Sequence, residues 1–353
     1  MKDIKINHLP VPTWNWLKIN DKTISIPDNC IVPKNETSND KKTITSAEFK
    51  SFDKDNYTLL NNLKYSGNPE LKNYINASAN GGVLYKATKG DNVAEPVRIT
   101  YDLDGNAEGY SDTLNFVLEE NSILKAVIIY KGNPKFFATN INVKTEKNSV
   151  FSLVTIFDSN EDSNIYSNID AFGEENSSFN LYQISCGRGN VGLSVCSDLQ
   201  GEFSNINIDS NYLVKGNDNL DINYVVKHEG AKSDSKIFVT GTLFDEAVKT
   251  FRGTIDFIKG SKTATGEERE DVLLLDEGVT NNTIPLILCA EEDVEGAHGA
   301  SIGQISDEAI HYFKTRGVNA DKINDIMARE RLNSAFARIP DEKTRNLYIK
   351  EEE

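Results

Sequence analysis

Cysteine is scarce. The 353 residues hold four, Cys30, Cys186, Cys196 and Cys289. None forms a C-x-x-C pair, and their spacing matches neither a zinc site nor a self-contained iron–sulfur cluster, which argues against a permanent four-thiolate site within one chain and leaves a shared or transient one open. In a reducing compartment they are expected as free thiols, and Cys186, Cys196 and Cys289 as small buried hydrophobes. Basic residues are outnumbered, with 38 Lys and Arg against 54 Asp and Glu and a formal net charge of −16. That balance disfavours nucleic acid and anionic membrane surfaces, and it suits protein partners or cations. There is no G-x-x-x-x-G-K-[ST] motif. GRGNVG at 187–192 lacks the lysine and lies between strands, so it reads as a turn. No apolar run approaches a bilayer span, and MKDIKINHLPVPTW has no apolar core of a signal peptide, so a cytoplasmic location is expected.

Helical periodicity is also lacking, over about two hundred residues from Val83 to Val294. Short alternating segments take its place, among them 126–130, 151–157, 179–184, 203–208, 222–226, 237–243 and 253–258, separated by Asn, Asp, Gly and Ser. LEENSILKAVII near Asn121, TEKNSVFSLVTI near Asn148 and GEENSSFNLYQI near Asn176 share a polar turn followed by an alternating strand. QGEFSNINI and KSDSKIFVTG are degenerate versions. A strand–turn unit repeated at slightly under thirty residues points to a β-solenoid, in which stacked coils bury a core that no single coil could. An antiparallel sandwich is the competing architecture.

The flanks differ. Residues 1–82 are mixed. Trp14 and Trp16 stand at strand-like alternation, as if to anchor a terminal segment. Residues 34–42 read as a polar loop, and 46–52 as a short helix capped by Ser46. Residues 61–79, rich in Asn and Ser, give little signal. Beyond residue 300 the chain turns helical. Ser306 caps a first helix with Ile310, Phe313 and Tyr312 on its apolar stripe, ended by Gly317. Asn319 caps a longer one bearing Ile323, Ile326, Met327, Leu332, Phe336 and Ile339. A third short helix follows from Asp341, before the acidic EEE end. These helices must dock on the solenoid or on another protein, and a cap over the last coil is one option. The expected parts are therefore 1–82, 83–300 and 301–353.

At the junction stands His298 in AHGAS, downstream of Glu291, Glu292, Asp293 and Glu295. By spacing alone a turn histidine beside a solvated acidic loop is the favoured reading, and a ligand is the alternative. His228 in VVKHEG reads as structural, and His311 as packed or at a partner surface.

The stretch from VVKHEGAKSDSKIFVTGTLFDEAVKTFRGTIDFIKG to PLILCAEEDVEGAHGASIGQISDEAIHYFKTRGV resembles the SufB/SufD family of iron–sulfur cluster assembly scaffolds. HGASIGQISDEAIHYFKTRG looks like the family's signature: a histidine, small residues, then a helix ending in x-R-G. Within the family the chain is similar to SufD-type members. SufB-type chains carry Glu directly after this histidine, where Gly299 stands here. Some relatives carry a cysteine two residues before it, where Gly296 stands here. GEERED at 266–271 lacks the Gln/Asn-rich character usual at that place, which argues against a role for that loop.

The resemblance implies a right-handed parallel β-helix with an N-terminal mixed α/β part and a C-terminal α-helical part. It implies a non-catalytic scaffold subunit in a complex with SufB and the ABC-type ATPase SufC, with self-pairing open to the isolated chain. It also implies a transient iron–sulfur cluster shared with SufB, and no permanent cofactor in this chain alone. His298 becomes the expected ligand. Tyr312, Phe313, Arg316 and Phe336 are the expected partner-binding residues of the C-terminal helices. A purely structural interaction solenoid and a carbohydrate-active β-helix enzyme are the alternatives.

Overall fold

A computed structural model of the chain describes residues 1–38, 44–50, 66–78 and 81–349. The N-terminal part contains strands β1 (Lys2–Ile6), β2 (Lys22–Ile26), β3 (Asn35–Ser38) and β4 (Ile44–Lys50), then helix α1 (Pro69–Ser78). The repeats begin with β5 (Gly81–Ala87), β6 (Val97–Leu103), β7 (Tyr110–Leu118), β8 (Ile123–Gly132) and β9 (Phe137–Thr145). They continue through β10 (Val150–Ser159), β11 (Asn164–Gly173), β12 (Ser178–Ser185), β13 (Asn190–Leu199) and β14 (Asn205–Val214). The last coils hold β15 (Asn219–His228), β16 (Asp234–Leu243), β17 (Val248–Phe257), β18 (Ala264–Leu274), β19 (Thr280–Cys289) and β20 (Val294–Gly303). Helices α2 (Asp307–Thr315), α3 (Ala320–Ala337) and α4 (Glu342–Tyr348) close the chain.

The repeats form a parallel β-solenoid. Successive strands alternate between two sheets, one ordered β6-β8-β10-β12-β14-β16-β18-β20 and the other β5-β7-β9-β11-β13-β15-β17-β19. Each strand pairs in parallel with the strand two places on, which rules out the sandwich. At the N-terminal end β3 and β4 add antiparallel to β6 and β5.

The repeat in the sequence is a physical device. Asn121, Asn148 and Asn176 all have φ near +60°, a left-handed turn conformation that Asn tolerates better than most residues. Their side chains form a ladder, Asn148 donating to Asn121 at 2.9 Å and Asn176 to Asn148 at 2.8 Å. Phe203, Lys232 and Thr263 take over the left-handed positions in later coils, where the motif fades. Between turns, inward side chains stack coil upon coil. Tyr101, Tyr130 and Phe157 form one such stack, and Phe116, Phe151 and Phe179 another, with ring centroids 5.0–5.6 Å apart.

Both flanking parts lie on the outer faces of the solenoid. The β1–β2 hairpin and α1 put Ile4, Ile6, Ile24, Ile26, Leu71 and Ile75 against Phe136, Ala138 and Tyr166 of the second sheet. A buried polar knot fastens them. Arg252 holds Asp221 through two nitrogens (2.7 and 3.2 Å) and donates to the Ile19 carbonyl, while Asn7 donates to Asp221 at 2.7 Å. At the other flank α3 lays Ala335, Phe336 and Ile339 on Val127, Ile129, Val154, Ile156 and Ile184 of the first sheet.

Several expectations need correction. The proposed helix at 46–52 is strand β4 up to Lys50, paired with β5; its last two residues lie outside the described residues. The polar loop at 34–42 contains β3, and 39–42 lie outside the described residues. The weak stretch 61–79 yields α1; its residues 61–65 and 79 are outside, as is the EEE end. Trp14 and Trp16 sit in a turn rather than a strand, and Trp16 is 75% exposed, so it anchors nothing. The C-terminal helices do not cap the last coil. They dock on the side, because the outer face of β8, β10 and β12 supplies the apolar surface that α3 needs. No helix among the described residues is long and apolar enough to cross a membrane.

Candidate functional site: the open end of the solenoid

Strands β19 and β20 are the last in their sheets, and among the described residues nothing pairs with their outer edges. That leaves two rows of backbone donors and acceptors at one end of a rigid body, the arrangement that accepts further strands. Small residues keep this end low. A Cβ added at Gly299 or Gly303 would meet nothing within 4 Å. Ile302 is 51% exposed, an apolar side chain with no next coil to cover it.

His298 lies in the middle of β20 and is exposed. It pairs in register with Glu268 of β18. Register partners in a parallel sheet project to the same face. Glu268 faces the solenoid interior, since its carboxylate lies where a Cβ at Gly253 on the opposite sheet would fall. His298 therefore continues an inward-facing column, and it is exposed because its coil is the last.

The interior beneath it changes character. Earlier coils are filled mostly with aliphatic and aromatic side chains, and polar ones among them, Asp112, Gln183 and Ser210, are each held by a tyrosine hydroxyl. The coil next to the last holds Lys249, Glu268 and Glu270, all buried. Lys249 is ion-paired with Glu270, and Thr283 bridges them, accepting from Lys249 at 3.1 Å and donating to Glu270 at 2.6 Å. Burial lowers the Lys249 pKa, against the opposing pull of Glu270. Burial pushes the Glu268 carboxyl up to about 8, the Glu270 charge adds to this, and Lys249 offsets part of it. The segment 266–271, expected as a loop of no consequence, is in fact the middle of β18, and its alternate residues line the core.

Thiols contribute little. Burial raises the Cys186 pKa well above the usual thiol range and Cys196 to about 12, so neither is a ready ligand. Cys289 departs from expectation. It ends β19 at the open end, is exposed, and donates to the Glu291 carbonyl at 2.9 Å. His228 is buried between Ser233 and Ser235 at 2.7 and 2.8 Å, with its ring on Phe257, a structural residue as expected. Among the described residues no three His, Cys, Asp or Glu side chains gather closely enough to hold a metal ion.

The residues expected to bind a partner separate into two groups. Helix α2 buries none of its side chains. Tyr312 is 56% exposed, Phe313 packs edge-on to it, and Arg316 lies 5.4 Å over the Tyr312 ring. His311 on the same helix is exposed rather than packed. Phe336 does not belong with them. It is only 3% exposed and stacks on Tyr348 at 4.6 Å, so its ring is consumed in docking α3 and α4.

Comparison with known proteins now bears on this geometry. The chain is 28% identical over 100 residues to the iron–sulfur cluster assembly protein SufD of Bacillus subtilis (strain 168), a match covering 28% of this chain and 23% of that one. It is 26% identical over 123 residues to SufD of Escherichia coli (strain K12), covering 35% and 29%. It is also 27% identical over 141 residues to the SufBD family protein ycf24 of Porphyra purpurea, covering 40% and 28%. The chain thus spans less than a third of the length of each of these relatives. The family model described as SUF system FeS cluster assembly, SufBD core domain, matches residues 101–330, more than half of the chain. On that match, with the SufD proteins among its relatives, the chain belongs to the SufB/SufD family of iron–sulfur cluster assembly proteins and is of the SufD type.

Proposed function

We propose that this chain is a non-catalytic scaffold subunit whose open end meets the end of a SufB solenoid, and that His298 is its contribution to a nascent iron–sulfur cluster held between the two. One observation carries the reading. His298 is exposed on the terminal strand of a rigid solenoid whose last strands, β19 and β20, have outer edges unpaired among the described residues. A second solenoid can continue both sheets there, with Ile302 and the small residues of β20 inside the joint.

The donor set fits a cargo site completed from outside. Among the described residues this end offers the exposed imidazole of His298 and the exposed thiol of Cys289, and no three His, Cys, Asp or Glu side chains gather closely enough to hold a metal ion. Four thiolates in one rigid chain would hold a cluster firmly. A site divided between two chains, with an imidazole among its ligands, releases it more readily. Helix α2 is the proposed contact for SufC, since the exposed Tyr312 and Arg316, with the half-buried Phe313 beside them, form an aromatic–cationic face. ATP-driven movement of SufC would act on the solenoid through α2 and the firmly docked α3. The cytoplasm is the proposed location.

The test is co-expression with SufB and SufC followed by purification through a tag on this chain. The reading expects all three to co-elute, Ile302→Asp to lose SufB but keep SufC, and Tyr312→Ala to lose SufC but keep SufB. Retention of SufB by Ile302→Asp at wild-type yield would contradict pairing through the open end.

A further inference from the structure

We infer that Glu268 is a second metal-ligating side chain of this protein, forming with His298 a two-residue nitrogen–oxygen site for a divalent iron-type cation at the open end. The inference rests on the reading of His298 as a ligand and extends it to a residue in the solenoid interior.

The first argument is positional. The column of inward side chains leading to His298 runs Val97, Ala126, Leu153, Leu181, Ile208, Ile237 and then Glu268. All six residues before Glu268 are buried and aliphatic. The stacking of coils thus asks for an aliphatic side chain at 268, and the chain places a carboxyl there, immediately beneath the histidine. Packing gives no reason for it.

The second argument is electrostatic. Glu268 is 3% exposed, and its carboxyl makes no hydrogen bond or ion pair with any described residue. A buried carboxyl without a hydrogen-bond partner is costly whenever it carries its charge, and natural chains seldom keep one without a use. The nearby ammonium answers it only in part, because Lys249 gives its hydrogen bonds to Glu270 and Thr283. The facing position is Gly253, where any side chain would collide with the carboxylate oxygens, so the opposite sheet makes room for Glu268. What the charged carboxylate lacks is a cation, and Glu268 and His298 line one cavity at this end of the solenoid.

The third argument is chemical. Carboxylate and imidazole together suit a divalent ion of intermediate hardness, with remaining positions left for sulfide, water or a neighbouring chain's donors. Two ligands from adjacent strands of one rigid sheet hold an incoming ion while leaving most of its coordination sphere open.

The experiment is anaerobic titration of the full-length chain with Co(II) as a spectroscopic stand-in for Fe(II), read by calorimetry and by the visible ligand-field bands. Wild type is expected to bind one ion. His298→Ala and Glu268→Gln should each weaken binding by about tenfold or more. Glu267→Gln, on the outward face of the same strand, should leave it unchanged. Glu268→Leu restores the aliphatic column, so it should melt no lower than wild type and still lose the ion. Absence of binding by wild type, or equal binding by wild type, Glu268→Gln and Glu268→Leu, would overturn the inference. Loss of binding in His298→Ala alone would remove Glu268 while leaving the proposed role of His298 standing. Unchanged binding in His298→Ala would count against both.

Discussion

The side-chain amide of Asn148 donates to the side-chain oxygen of Asn121 one coil below, and both residues sit in left-handed turns. Substitution separates these two roles. Asn148→Gly keeps the turn and loses the ladder, at a cost of about 1 kcal/mol. Asn148→Ala adds the left-handed strain, for about 2 kcal/mol in all. Urea unfolding of the two variants should rank them in that order, and equal losses would remove the conformational half of the account.

The Arg252–Asp221 pair fastens the N-terminal hairpin to the second sheet. Arg252→Ala leaves a buried carboxylate facing Asn7 alone and should cost about 3–5 kcal/mol. Limited proteolysis should then cut within residues 1–38 first, before the solenoid. Simultaneous release of all segments would show that the hairpin is integral to the coil stack.

His228 gives a signed pH dependence. Burial holds its pKa down at about 4, against about 6.5 in an unfolded chain. Between those values the unfolded state binds the extra proton, so stability is intact above pH 6.5 and is lost as pH falls towards 4, by about 3 kcal/mol in total. His228→Phe should flatten this part of the stability profile. An unchanged acid slope in the variant would assign the loss to other groups.

Phe336 and Tyr312 should behave oppositely. Phe336→Ala opens a hole between α3, α4 and the first sheet, and should cost about 3–5 kcal/mol locally. Hydrogen exchange should quicken throughout 320–349 while the coils stay protected. Tyr312→Ala touches no packed surface and should shift stability by less than about 0.5 kcal/mol. A large stability loss in Tyr312→Ala would mean that α2 is structural.

Much of the solenoid was legible in the sequence because its turns need a special conformation. Asn121, Asn148 and Asn176 mark that conformation, and their even spacing exposes the coil length. The starts of the C-terminal helices were equally plain: Ser306 and Asn319, read as caps, and Asp341, read as the start of the third helix, each accept a hydrogen bond from a backbone N–H three residues on. What stayed hidden were relations across the chain. Strand β4 looks helical by composition and is fixed by pairing with β5. Phe336 carries the pattern of any amphipathic helix, which does not say whether the apolar face meets its own solenoid or a partner. Glu268 sits in a charged run, EERED, where alternation of inward and outward positions shows only once β18 is seen between β16 and β20. His298 was found through the signature around it, and its exposure follows from the uncovered last coil.

The central claim is that the open end with His298 forms one half of a shared cluster site. Iron and acid-labile sulfide in the anaerobically purified complex with SufB and SufC, wild type against His298→Ala, test it most directly. The account predicts that the variant assembles the same complex and holds far less iron and sulfide. Wild-type cluster content in an intact His298→Ala complex would contradict it.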